Sequence, residues 1–235
     1  SKEKREDLAK SLKSNDTHAV ILTDPASIAW VLNIRGNDVP YTPLPLSTAI
    51  IHSDSSVDWF VKKEKINESL LVHLGHQVRI SDPDNLKSIL ELQVKNGSSL
   101  QICPDTAASW IFDQLSFGGV DIRKEVDPVI KAKSIKNKVE LDGSRSAHRR
   151  DGAAIARFLF WLSANAESEK LSEKEAAEKL TEFRKNEDLF QGLSFETISG
   201  AGPNGAIVHY RVDEESNRLI KKDEFYLIDS GGQYL

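Results

Sequence analysis

The hydrophobic period of this chain changes at Asp127-Pro128, and that change limits the folds open to it. Ahead of it, short apolar runs recur between turn residues: Ala19-Val20-Ile21-Leu22, Thr48–His52, Val57–Val61 and Leu100–Cys103. Runs this short, bounded by polar or turn-forming residues, read as strands. Ser53-Asp54-Ser55-Ser56 joins two of them as a hairpin turn. Between the strands lie helical patterns. Residues 2–14 place Leu8 and Leu12 one turn apart, residues 84–95 align Leu86, Ile89, Leu90 and Val94, and residues 109–115 form a third helix. Ser27–Asn33 fits either a helical turn or a strand, and Leu70–His73 with Gln77–Ile80 reads as a strand region broken around Gly75. Strands alternating with helices predict an α/β domain over residues 1 to about 126.

After the change, long helices come first. Asn137 and Glu140 have capping-box spacing, with Asn137 as the N-cap of a helix from about 138 to about 165. Gly143, Ala147, Gly152 and Ala154 are small residues along it. Two glycines weaken a helix, so their presence predicts another element packed closely there. Ser172 and Glu175 form a second capping box, opening a helix to about Asn186. Leu193–Ser199, Ala206–Tyr210 and Phe225–Asp229 then read as strands, with the turn-rich segment Gly200-Ala201-Gly202-Pro203-Asn204-Gly205 between the first two.

The formal net charge of −5 gives no broad basic field, which argues against nucleic acid or anionic membrane as the main partner. No apolar run approaches membrane-spanning length. The charged start, Ser1-Lys2-Glu3-Lys4-Arg5, is unlike a signal peptide, and the lone Cys103 makes no internal disulfide, so the expected compartment is the cytoplasm. Cys103 reads as a packed core thiol, and Trp30, Trp59, Trp110 and Trp161, among apolar neighbours, read as core side chains. The chain has no methionine and stops at Gly231-Gly232-Gln233-Tyr234-Leu235 inside a strand-like pattern, so an incomplete chain is expected.

Two residues could carry chemistry. Asp229 follows the apolar strand Phe225-Tyr226-Leu227-Ile228 and precedes Ser230-Gly231-Gly232. A carboxylate at the end of a buried strand needs a partner, a metal included, and the glycines would admit other backbone or a substrate. The plainer reading, an acid closing an Asx-turn, is the one these residues alone favour. His209 ends the apolar run Ala206-Ile207-Val208 behind a glycine loop and is expected to be partly buried. It could move a proton or bind a metal, against the plainer reading of a satisfied core histidine. His73 and His76 lack a third ligand nearby, and Arg145, His148, Arg149 and Arg150 read as a solvated basic face.

Taken together, several segments resemble one family. Leu22-Thr23-Asp24-Pro25-Ala26-Ser27-Ile28-Ala29-Trp30, Asn33-Ile34-Arg35-Gly36-Asn37-Asp38-Val39-Pro40 and Pro43-Leu44-Pro45-Leu46 resemble the domain that precedes the catalytic domain of aminopeptidase P, the Xaa-Pro aminopeptidases. Ile135-Lys136-Asn137 through Arg150-Asp151-Gly152-Ala153-Ala154 is similar to that family's catalytic entry helix. Phe195–Ser199, Gly202-Pro203-Asn204-Gly205-Ala206-Ile207-Val208-His209-Tyr210 and Leu227-Ile228-Asp229-Ser230-Gly231-Gly232 are similar to its active-site strands. The resemblance implies a creatinase-type α/β domain over 1 to about 126, then the first half of an α+β "pita-bread" domain from about 127 to 235. It implies a hydrolase that is a metallopeptidase, releasing the residue before a proline in second position. Two divalent metal ions, usually manganese, are held in the family by two Asp, one His and two Glu. Asp229 corresponds to the first of those metal ligands, and His209 to the histidine that contacts substrate and stabilises charge or moves a proton. The other ligands are expected beyond Leu235, so this chain alone is expected to be inactive. Dimers are usual in the family. Creatinase, Xaa-Pro dipeptidases and non-catalytic binding proteins of the same fold are the alternatives. No pocket for the proline ring is legible.

Overall fold

The computed structural model describes residues 1–166, 168 and 170–235, which divide by contacts into two units, Ser1–Val39 with Pro43–Ile135, and Pro40–Thr42 with Lys136–Leu235.

The first unit is a six-stranded mixed sheet between helices. The strands are β1 (Ala19–Leu22), β2 (Thr48–His52), β3 (Val57–Phe60), β4 (Val78–Ser81), β5 (Ser99–Ile102) and β6 (Asp121–Lys124), in the order β4-β3-β2-β1-β5-β6. β2 pairs antiparallel with β1 and β3, while β1–β5, β5–β6 and β3–β4 are parallel. Side chains alternate across a strand, so the central strands feed two cores. Val20, Leu22, Ala49, Ile51, Val57 and Trp59 enter one of them. There they meet Leu8 and Leu12 of α1 (Lys2–Ser14) and Ile28, Val31 and Leu32 of α2 (Pro25–Leu32). Ala19, Ile21, Ile50, Phe60, Leu100 and Ile102 enter the other, under Leu90 of α4 (Leu86–Lys95) and Ile111 and Leu115 of α5 (Ser109–Ser116). The α/β architecture read from the sequence is present.

The segment 27–33, open to either reading in sequence, is helical. Asp24 caps α2 by accepting from the N–H groups of Ala26 at 3.0 Å and Ser27 at 3.2 Å, with Pro25 in the first turn. Leu70–His73, read as strand, is helix α3 (Glu68–Leu74). Asn67 accepts from Leu70 N–H at 2.9 Å and so starts a turn of helix, which Gly75 ends at φ 71°. Trp59 is buried as expected, but Trp110 is exposed. Beyond Asp127-Pro128, α6 (Val129–Ser134) still belongs to this unit, because Val129 is buried in its first core.

In the second unit both capping boxes form. Asn137 N–H donates to Glu140 at 2.9 Å and Glu140 N–H donates back to Asn137 at 2.9 Å, opening α7 (Lys138–Ala166). Ser172 and Glu175 do the same for α8 (Glu173–Lys185). Phe158, Ala176 and Leu180 of these helices pack with Ala201 and Ile220, and with the partly buried Tyr226 and Ile228. The strands form two ladders, β7 (Phe190–Leu193) with β10 (Gly232–Tyr234), and β8 (Ile198–Ala201) with β9 (Tyr226–Asp229). The stretch read as one strand over 193–199 is therefore two, broken after Leu193. Close packing at Gly143 and Gly152 is not found, since a Cβ at either would meet open space. No described helix is long and apolar enough to cross a membrane.

Candidate functional site

Asp229 closes β9. Its antiparallel partners set which side of the ladder it occupies: Ile198 lies opposite Asp229 and Gly200 opposite Leu227, while Ser199 pairs with Ile228 and Ala201 with Tyr226. Directly opposed residues share a face. Ala201, Tyr226 and Ile228 face the helices. Asp229, Leu227 and Gly200 therefore share the opposite face, where Asp229 and Leu227 are exposed.

The glycine loop folds over that same face. After β8 the chain makes a 3-10 turn, Gly202–Ala206, rather than the strand read over Ala206–Tyr210. A Cβ on Gly200 would stand 2.9 Å from the backbone nitrogen of Gly205 and 3.0 Å from the carbonyl carbon of Asn204, so only glycine lets the loop lie this close. A Cβ on Gly205 would come to 3.6 Å from Leu227 Cβ. The loop that leads to His209 thus rests on the side of the ladder that bears Asp229. His209 itself sits at φ 55°, a left-handed conformation uncommon outside glycine. It is exposed, where partial burial was expected, because the run Ala206-Ile207-Val208 leaves the sheet and stays exposed too.

A buried carboxylate, absent from the sequence reading, anchors this loop. Glu173 has no exposed surface. It accepts from Ala201 N–H at 2.6 Å, Asn204 Nδ2 at 3.0 and 3.3 Å, Tyr210 O–H at 2.8 Å and Arg218 N–H at 3.1 Å. Its carbonyl accepts from Ser199 Oγ at 2.7 Å, and that hydroxyl lies 2.7 Å from Tyr226 Oη. Burial pushes the Tyr226 phenol up to about 12 and raises that of Tyr210 as well. Arg218 also pairs with Glu224 at 2.9 Å, against which Gly202 turns at φ 53°. In sequence Glu173 looks like an ordinary acid in a helical first turn, and its partners lie 28 to 45 residues away.

A second anchor, the pair of buried Arg184 with partly buried Asp151, fixes the chain just after Asp229. Arg184, fully buried, donates from Nε and Nη2 to Asp151 at 2.8 and 3.1 Å, and reaches the Ser230 carbonyl at 3.4 Å. Tyr234 donates to Asp151 at 2.9 Å. Burial alone would raise the Asp151 pKa, but the hydrogen bonds from Arg184 and Tyr234 leave it below the ordinary value. A recess of 250 Å³ lined by His148, Asp151, Ser194, Ser230 and Tyr234 lies beside this pair.

The donor set does not complete a metal centre. Among the described residues no three His, Cys, Asp or Glu side chains gather where an ion could sit. Asp229 offers one carboxylate, and a two-metal site needs several. His73 is engaged elsewhere, its Nε2 lying 2.9 Å from the Leu32 carbonyl.

A mixed sheet clothed by helices, followed by a unit whose helices cover one face of a ladder and leave an acid on the other, places the chain in a known class. It belongs to the creatinase/prolidase N-terminal domain family, whose model matches residues 1–140. Residues 142–235 match metallopeptidase family M24. A probable Xaa-Pro aminopeptidase P of Aspergillus niger is 39% identical over 242 residues, covering 99% of this chain and 39% of its own length. The one from Talaromyces marneffei is 39% identical over 245 residues, with 99% and 36% covered. The solved X-prolyl aminopeptidase of Caenorhabditis elegans, described as a cytosolic enzyme with a di-nuclear active site, superposes with a TM-score of 0.89 at 30% identity. That match covers 99% of this chain and 39% of the other. The chain therefore spans about two fifths of the length of the relatives it matches. The Xaa-Pro dipeptidase of Bacillus anthracis shares the fold, with a TM-score of 0.73 at 18% identity. The family read from the sequence motifs is the one these comparisons find.

Proposed function

We propose that this chain supplies the creatinase-type domain and the opening half of the catalytic domain of a metal-dependent aminopeptidase that releases the N-terminal residue from peptides with proline second. The observation that carries this reading is the shared face: Asp229 closes β9 on the side of the ladder over which the glycine loop leading to His209 is folded. In this reading Asp229 is one carboxylate ligand of two divalent ions, manganese being the family's usual metal, and the remaining ligands come from elsewhere in the full-length protein. The ions would supply a nucleophilic hydroxide and polarise the scissile carbonyl. His209, exposed on its left-handed turn, is free to donate a hydrogen bond to the substrate or to hold a proton. Because proline lacks an amide hydrogen, recognition of the second residue rests on its ring. The cytoplasm as compartment and a homodimer as assembly belong to the same proposal.

The test is a peptidase assay on the full-length protein, using Xaa-Pro peptides with and without added manganese. Release of the first residue, dependent on metal and lowered by at least about 100-fold in His209→Ala, is the expected result. A full-length protein inactive under both conditions removes the reading.

A further inference from the structure

Glu173 is a carboxylate with no exposed surface and no Lys or Arg side chain paired to it among the described residues. Burying such a group is costly unless hydrogen bonds replace its water. Here every partner is a donor: two backbone N–H groups, the Asn204 amide and the Tyr210 hydroxyl. Those donors are not scattered. Ala201 and Asn204 open the glycine loop, Tyr210 closes it, and Arg218 begins the return towards β9. Between the two anchor points lie the exposed residues 206–209, ending in His209 at φ 55°. A non-glycine residue keeps that conformation only where its surroundings fix it.

We propose that Glu173 is the positioning residue for His209, clamping both ends of the loop so that the imidazole is presented in one geometry. Tyr210 is covalently next to His209, and its hydroxyl is tied to Glu173. Loss of that tie frees the backbone at the point where the left-handed turn is made. An amide in place of the carboxylate sets an NH2 group against a row of donors, so Glu173→Gln keeps the volume and breaks the clamp. The proposal rests on the reading of His209 as a substrate-facing group, but the clamp can be measured apart from it.

The experiment uses the full-length protein. In Glu173→Gln, kcat towards an Xaa-Pro peptide should fall about tenfold, with KM changed by less than about twofold. In a His209→Ala background the same substitution should change kcat by less than about twofold, because a group acting through His209 has nothing left to position. A merely structural residue would lower kcat in both backgrounds alike. Amide exchange over 202–210 should speed up about tenfold or more while α7 is unchanged. Equal kcat losses in both backgrounds, or unaltered exchange in the loop, overturn the proposal. If the wild-type protein cleaves no Xaa-Pro peptide, the functional reading falls and the exchange data alone decide the clamp. Should Glu173→Gln fail to fold, Tyr210→Phe keeps the carboxylate and removes the tie at the loop's far end, together with that hydroxyl's contacts to Asn204 Nδ2 and the Ser216 carbonyl, and is read in the same way.

Discussion

Among the carboxylates whose protonation should weaken the first unit in acid, Asp58 on β3 is the most strongly shifted. Its residue is 8% exposed, with Nε2–H of His52 donating to one oxygen at 2.8 Å and Nε–H of Arg79 to the other at 2.6 Å. Burial acts to raise the Asp58 pKa, but the hydrogen bonds and charges of His52 and Arg79 outweigh it and bring the group down from 3.8 to about 2. At 1.36 kcal/mol per unit, that depression is about 2 kcal/mol of folding stability. A carboxylate whose folded pKa lies below its unfolded value stabilises fully above the unfolded pKa, and the contribution disappears as pH falls through the folded one. The loss therefore falls between about pH 4 and about pH 2. Urea unfolding monitored by tryptophan fluorescence across that window measures it, with Asp58→Asn as the control. At neutral pH the variant should be less stable by about 1.5–3 kcal/mol, and the gap to wild type should narrow by about 2 kcal/mol towards pH 2. A gap that stays constant from pH 7 to pH 2 would refute the assignment of this stability to Asp58.

Asp151→Ala leaves Arg184 buried without its carboxylate, so it should cost about 3–5 kcal/mol by denaturant titration, much of it recovered when Arg184→Met is added. Gly200→Ala forces a Cβ to within 2.9 Å of the Gly205 backbone, which should cost about 1–3 kcal/mol and, through displacement of the His209 loop, lower peptidase turnover. Ser172→Ala removes the hydroxyl that accepts from Glu175 N–H at 3.3 Å and donates to the Glu175 carboxylate at 2.8 Å, and a loss of about 1 kcal/mol by thermal melting is expected, with Ser172→Thr restoring most of it.

How much of this was legible in the sequence depended on how local the cause was. The capping pairs Asn137/Glu140 and Ser172/Glu175 announce their helices within four residues, and both form. The β2–β3 hairpin and the buried run Ala19–Leu22 were equally plain, since short apolar runs bounded by turn residues determine them. Leu70–His73 misled because a short apolar run fits either period, and the deciding signal was the polar Asn67 ahead of it. Ala206–Tyr210 misled for a different reason. Its apolar residues suit a strand, but Glu173, far away in sequence, takes the hydrogen bonds of Asn204 and Tyr210 and holds the segment as a turn. His209 and Asp229 were found through the motifs around them, not through any property of an isolated His or Asp. Glu173 was missed because nothing in a helical first turn distinguishes an acid that faces water from one that collects donors from three other segments.

Metal analysis of the purified full-length protein beside its Asp229→Ala variant, each also assayed on an Xaa-Pro peptide, tests the central claim most directly. About two bound divalent ions in the wild type, with at least one of them and nearly all turnover lost in the variant, is the predicted result. A variant that keeps both its metal and its turnover would contradict the account.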